Sequence, residues 1–157
     1  MHELNNKWIL WFHDPIDNDW SFESYINIHT INTIESFWEV FNNINKLNIE
    51  NGMFFLMKDG IKPMWEDEKN KNGGCWSFKI LKENIYETWL DLIINCINET
   101  ILTDVSINDV INGLSVSPKK TFCIVKIWIK NNINKDIINN NIININTKEC
   151  IYKKHIN

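Results

Sequence analysis

The sequence predicts an α+β fold, an antiparallel sheet with helices packed on one of its faces. Three observations point there. Short β-type runs recur along the chain, separated by turn-forming residues. Between them lie amphipathic stretches with helical spacing. Strands and helices follow one another without the regular alternation that a parallel sheet requires.

The elements can be justified in order. Lys7 to Phe12 (KWILWF) is an aromatic-rich β run. The loop HDPIDND follows and delivers Trp20. SFESYINIH reads as a second strand, with Ile26 and Ile28 alternating against Asn27. A helix then starts at Thr33, a suitable N-cap, with Glu35 in the first turn where the helix dipole favours a negative charge. Phe37, Val40, Phe41 and Ile44 form its buried stripe, and Ile34 and Trp38 fall to one side. MFFLMKDG is the next strand, ending in a turn at Asp59-Gly60. PMWEDEKNKNGGCW leads through an Asn-Gly pair, a hairpin signal, into a strand in which Trp76, Phe78 and Ile80 alternate with Ser77 and Lys79. Asn84 and Glu87 stand in capping-box relation at the start of a second long helix. That helix carries two apolar stripes, Ile85, Trp89, Leu92 and Cys96 on one, Leu90, Ile94 and Ile97 on the next. VINGLSVS and FCIVKIWIK, joined at PKKT, form a hairpin. In its second strand Cys123, Val125, Ile127 and Ile129 make a core face, while Lys126 and Trp128 lie on the opposite, accessible one. The spacing of Ile138, Ile142 and Ile145 allows a short helix, and ECIYKKH reads as a last strand.

At 157 residues, 44% of them hydrophobic, residues 1–157 suit one domain with a substantial core. Every basic residue is Lys, and neither Arg, Ala nor Gln occurs. Any phosphate contact must therefore use the point charge of Lys and not the two-pronged Arg guanidinium. A net charge of −4 argues against a general nucleic-acid coat. Cys75, Cys96, Cys123 and Cys150 are widely spaced, which favours reduced thiols over a zinc site or a disulfide framework. With no signal peptide and no long apolar span, the expected location is the cytoplasm or the nucleus.

The chemistry has two classes of reading. No catalytic constellation stands out, because His2, His13, His29 and His155 are scattered and Glu66, Asp67 and Glu68 are adjacent, so they point apart. No metal site or cofactor is expected. A binding site for a flat ligand is the stronger reading. Trp20 and Trp65, from different loops, can sandwich a base, and a neighbouring carboxylate can accept two hydrogen bonds from a guanine edge. Periodicity alone leaves the alternative open that both rings are core anchors for their loops. A tryptophan-lined carbohydrate-binding module is a further alternative.

KDGIKPMWEDEKNKNGG resembles the eukaryotic translation initiation factor 4E family, the binders of the messenger-RNA 5′ cap. NKWILWF, TIESFWEVF, TWLDLI and the pair Ile127-Trp128 extend the resemblance over roughly residues 4–128. It implies a curved antiparallel sheet with three helices on the convex side and the cap's 7-methylguanine on the concave side. Trp20 and Trp65 match the family's stacking tryptophans, Glu66 its guanine-reading carboxylate, and Trp128 the ring that touches the N7-methyl group. The resemblance also implies recruitment of capped messenger RNA for translation, with partner peptides of the Tyr-x-x-x-x-Leu-hydrophobic type. These come from the scaffold factor 4G and from repressor proteins, and dock at Ile34, Trp38, Leu90 and Ile94, with His2 and Leu4 at the family's N-terminal contact. A cap-binding repressor or decoy is the alternative within the family.

Departures from the family's pattern concern the phosphates. Lys119 aligns with the family's phosphate-binding Arg, and Lys120 stands beside it. The family's Lys position falls on Ile124, with Lys126 one pleat further along the same face, and Cys75 replaces a basic residue. The family's C-terminal closing loop has no counterpart in the sequence, so a weak phosphate clamp is expected. Shortness and an Asn/Ile-rich composition point to a viral or compact-genome version.

Overall fold

The computed structural model describes residues 1–156 of the chain. Among them, seven strands form one antiparallel sheet: β1 (Glu3–His13), β2 (Ile26–Thr33), β3 (Met53–Lys58), β4 (Gly74–Leu81), β5 (Ile111–Pro118), β6 (Phe122–Ile129) and β7 (Ile151–Lys154). Their order across the sheet is β2-β1-β3-β5-β6-β4-β7. Three α-helices complete the fold, α1 (Ile34–Phe41), α2 (Lys46–Asn51) and α3 (Lys82–Ile97). The sheet is curved, as the resemblance implies.

Alternation along the strands divides the sheet into two faces. Trp8 and Leu10 of β1, Leu56 of β3, Trp76 and Phe78 of β4, and Val125 and Ile127 of β6 join one large core with Phe37 of α1, Ile49 of α2 and Trp89 and Leu92 of α3. The helices therefore cover a single, convex face. The opposite, concave face carries a smaller apolar cluster of Phe55, Met57, Ile61, Cys75 and Trp128. The division of β6 follows its sequence, with Cys123, Val125, Ile127 and Ile129 all buried in the convex core.

Helix α1 starts as its sequence predicts. The Thr33 side chain accepts from the Ser36 N–H at 3.0 Å, and the Ser36 hydroxyl accepts from the Thr33 N–H at 3.0 Å. Helix α2 was not legible in advance. It is short and depends on a reciprocal cap in which Asn45 accepts from the Asn48 N–H and Asn48 from the Asn45 N–H. Helix α3 corrects the sequence reading, because it begins at Lys82 and not near Asn84. Strand β4 runs straight into it through Leu81, with no side-chain cap, so the Asn84/Glu87 box does not form.

Three further expectations are corrected. The Asn72-Gly73 pair does not close a hairpin, since β4 pairs with β6 and β7 while β3 pairs with β1 and β5. The glycines serve close approach instead. A Cβ at Gly73 would lie 2.0 Å from the Ile129 carbonyl oxygen, and one at Gly74 2.3 Å from that of Lys153. The stretch around Ile138, Ile142 and Ile145 buries all three side chains without forming an α-helix. Asn134, Asn139 and Asn146 each accept from the N–H two residues on, and these local bonds compete with helical ones. The second strand also starts later than expected, at Ile26, because Phe22–Ser24 form a 3-10 turn. All four cysteines are free and buried. No described helix is long and apolar enough to cross a membrane.

Candidate functional site

Two loops converge on the concave face. The first leaves β1 at His13 and carries Trp20. His13 is fully buried, and its ring stacks on Trp20 at 4.0 Å between centroids with the planes 4° apart. The His13 Nε2 lies 2.7 Å from the Asp19 carbonyl oxygen. One face of the indole is thus backed by a fixed ring. Asp17 and Asp19 close the loop by accepting from the N–H groups of Asp19 and Ser21.

The second loop joins β3 to β4 and carries Trp65 and Glu66. Asn70, 1% exposed, is its hub. Its amide donates to the carbonyls of Lys62 at 3.1 Å and Met64 at 2.9 Å, and its side-chain oxygen accepts from Asn112 of β5 at 3.0 Å. Asp67 accepts from the Lys62 and Lys69 N–H groups, and Glu68 pairs with Lys71. The acidic run thus separates into two residues that brace the loop and one, Glu66, that makes no hydrogen bond or ion pair with any other described residue. Replacing Asn70 with Ala is expected to destabilise the fold by about 1–3 kcal/mol, because two carbonyls and the Asn112 amide each lose one of their two hydrogen bonds. Chemical denaturation measures this, and an unchanged midpoint would show that the hub is dispensable.

Between the loops lies a cavity of about 240 Å³ whose walls include Trp20, Trp65, Glu66, Lys126 and Trp128. Trp20 and Trp65 are each 48% exposed, in contrast to the buried Trp8, Trp76 and Trp89. The core-anchor alternative therefore fails for both. Trp128 sits on the cavity floor, only 7% exposed, and its indole N–H donates to the Ser115 hydroxyl at 3.0 Å. Its accessibility is lower than the alternation of β6 suggests, because Phe55 and His155 pack against it. Tyr25 lies at the same cavity, and burial, helped by the charge of Glu66, pushes its hydroxyl up to about 12. The cavity thus combines aromatic faces with one unpartnered carboxylate, which suits a flat ligand with adjacent hydrogen-bond donors and a positive charge.

Lys126 lines the cavity, but Lys119 and Lys120 do not. They stand exposed at the β5–β6 turn. Sequence reasoning missed His155, Asn70 and Asn112 as parts of the site. In so Asn-rich a chain a structural Asn has no contrast, and His155 reaches the site only through the β4–β7 pairing. Its Nδ1 lies 2.7 Å from the Asn70 carbonyl and so donates, leaving Nε2 to accept from the Cys75 thiol at 3.2 Å. Burial pushes that thiol up to about 12, so it remains a donor. Burial also holds the His155 ring below its ordinary range, against the opposing effect of the Asn70 bond and with help from Lys126.

The eukaryotic initiation factor 4E family model matches residues 3–156. The chain belongs to this family. It is 36% identical to initiation factor 4E of Xenopus laevis over 146 residues, which cover 87% of this chain and 66% of that protein. It is 33% identical to that of Candida albicans over 140 residues, covering 82% of this chain and 65% of the relative. The chain thus spans about two thirds of the length of the curated relatives it matches. Among solved structures, Ascaris suum eIF4E-3 with m7G cap superposes with a TM-score of 0.80 at 27% identity, covering 98% of this chain and 91% of that one. Caenorhabditis elegans eIF4E-3, in complex with the 4E-binding protein Mextli and a cap analog, gives 0.81 at 28% identity, covering 98% and 92%. The curved sheet with helices on one side is thus the 4E family's fold.

On the convex side, Ile34 and Trp38 lie one turn apart on α1 and are 36% and 43% exposed. Trp38 rests edge-on against Phe37, at 4.7 Å. Leu90 and Ile94, one turn apart on α3, are half-buried. His2 and Leu4 are tied into the same side of the molecule. The His2 carbonyl accepts from the Ile34 N–H at 2.9 Å, its ring meets Glu35 at 2.8 Å, and Leu4 packs against the convex core. This contact, chiefly the hydrogen bonds from His2, pulls the Glu35 carboxyl down to about 2.

Proposed function

We propose that this chain binds the 7-methylguanosine 5′ cap of messenger RNA in the concave cavity and recruits capped messenger RNA to the translation machinery through its convex face. The reading is of a binding protein and not an enzyme, and it places the protein's work in the cytoplasm. The observation that carries it is the convergence of Trp20, Trp65 and the unpartnered Glu66 on one cavity above Trp128.

Each group has a distinct part. Trp20, backed by His13, and Trp65 stack on the two faces of the base, each worth roughly 1–3 kcal/mol. Methylation at N7 makes guanine cationic, and the indole faces add cation–π attraction of about 1–2 kcal/mol in a desolvated site. Glu66 accepts from N1–H and the 2-amino group, a donor pair that adenine lacks. Trp128 supplies the apolar floor for the methyl group. The relatives support this reading, since the Ascaris suum structure is a complex with m7G cap. Ile34, Trp38, Leu90 and Ile94, with His2 and Leu4, form the surface for helical peptides of scaffold factor 4G or repressor type, and the neighbour bound to the 4E-binding protein Mextli supports it.

The test is to titrate 7-methyl-GMP against the Trp20→Ala and Trp65→Ala variants. Each is expected to lose roughly tenfold to hundredfold in affinity. Wild-type affinity in both would exclude the sandwich.

A further inference from the structure

Strand β1 ends on a histidine that faces the concave side. Alternation along the strand puts Trp11 and His13 on that side and Phe12 in the convex core. Of the four histidines, His13 is the fully buried one, and Trp20 lies flat against it. We propose that His13 determines the site's preference for a cationic base. Its neutral ring supports a positively charged base on the outer face of Trp20, and its protonated ring opposes one, so the preference is lost as the pH falls. The proposal deepens the cap-binding reading and rests on it for the identity of the base.

Three observations carry it. The first is the tautomer. The Asp19 carbonyl oxygen only accepts, so Nε2 of His13, 2.7 Å away, carries the ring's proton. A second proton goes to Nδ1, which is buried and has no hydrogen-bond partner among the described residues. The second is the stack. The rings are 4° from parallel with their centroids 4.0 Å apart, so a base on the outer face of Trp20 is separated from His13 by the indole alone. Positive charges on both sides of one indole compete for the same π electrons. They also repel each other through a medium that screens them far less than water does. The third is burial. His13 is fully buried, so solvent ions do not screen its charge as they would that of an exposed histidine.

The groups around the ring fix the sign of the effect. From the loop comes Asp19. Hydrogen bonds from Ser21 hold its carboxyl below the usual carboxylate range, with a smaller contribution from His13 itself. It therefore stays negative and serves as counter-ion when the ring is charged. Asp14 and Asp17 of the same loop accept instead from the N–H groups of Ile16 and Asp19. Tyr25 packs at 4.9 Å, and its hydroxyl, pushed up to about 12 by burial and then by Glu66, stays neutral. Strand β3 contributes the uncharged Met53, opposite His13 in register. Glu66 and Lys126 stand across the cavity. Among these side-chain types, histidine is the one that ordinarily changes charge between about pH 5 and 8. The neutral ring is the binding form. Affinity for a cationic base is full above the transition and falls as the pH falls through it, and a bound cation in turn keeps the ring neutral.

The experiment measures the affinities of 7-methyl-GTP and GTP from about pH 7.5 to about pH 5.5 in wild type, H13F and D19N. The two nucleotides carry the same phosphates, so the ratio of their affinities isolates the charge on the base. In wild type this ratio is expected to fall on the order of tenfold across the range. In H13F, whose ring is flat but takes up no proton, it is expected to hold. D19N keeps an acceptor for the Ser21 N–H but removes the counter-charge, so its fall is expected at lower pH. A ratio that is flat in wild type, or that falls equally in H13F, overturns the proposal. Should H13F not fold, D19N decides, because an unmoved transition assigns the proton to another group. Quenching of tryptophan emission by 1-methylnicotinamide, a flat cation without a guanine edge, separates this outcome from failure of the base reading. If wild type does not prefer 7-methyl-GTP at the upper pH, quenching that weakens on acidification in wild type but not in H13F still establishes charge control of Trp20. Equal quenching in both removes it.

Discussion

Replacing Glu66 with Ala is expected to lower the affinity for 7-methyl-GTP at least a hundredfold without changing the stability of the fold. On the proposed reading the carboxylate accepts from two donors on the guanine edge, and each charge-assisted bond is worth about 1.5–3 kcal/mol. Removing it leaves both donors desolvated between two indoles. It leaves the protein intact, because Glu66 forms no bond to the rest of the described chain and the loop is held by Asn70 and Asp67. Isothermal titration and a thermal melt of the same sample separate the two effects. Near-normal affinity would mean that another group reads the base, and a large drop in stability would mean that Glu66 is structural. The outcome also separates this reading from a tryptophan-lined carbohydrate site, where one carboxylate would not decide between purine bases.

The second large effect is expected on the other side of the sheet. Trp38→Ala should weaken a Tyr-x-x-x-x-Leu-hydrophobic peptide by about 2 kcal/mol or more, roughly thirtyfold, as is common for an aromatic anchor at an interface. Cap affinity should be unchanged. The ring is 43% exposed and rests on Phe37, so its loss removes little from the core. Fluorescence anisotropy with a labelled peptide reads the first effect, and the 7-methyl-GTP titration reads the second. Equal peptide affinity in the variant would show that α1 is not the docking surface. It would leave the cap-binding repressor or decoy as the reading of the convex face.

The parts of the fold that were legible in the sequence share one property, a local pattern that decides an orientation. Alternation in β6 separated Val125 and Ile127 from Lys126 and Trp128, and the faces observed are those. Thr33 and the stripe of α1 behaved likewise. The parts that were not legible depend on pairing between distant strands. The Asn-Gly pair reads locally as a hairpin, yet β4 finds its partners in β6 and β7, so the same residues permit close packing instead. The Asn84/Glu87 spacing suits a cap, yet the strand enters the helix three residues earlier, through Leu81.

The candidate site shows the same division. Trp20, Trp65, Glu66 and Trp128 stand in a recognisable motif, and the fold brings them to one cavity. Lys119 and Lys120 follow from alignment in the motif but lie outside it, whereas Lys153, Lys154 and His155 reach its edge only because β7 adds to β4. Charge, unlike an apolar stripe, carries no period along the chain, so the position of a lysine relative to a cavity depends on topology alone.

The central claim is that the cavity between Trp20 and Trp65 reads a positively charged, methylated guanine. Quenching of tryptophan fluorescence by 7-methyl-GTP and by GTP, titrated under identical salt, tests it most directly. The predicted result is tight, saturable quenching by 7-methyl-GTP and an affinity for GTP lower by at least tenfold, the equivalent of about 1.4 kcal/mol from the cationic ring. Equal affinity for the two nucleotides would contradict the claim.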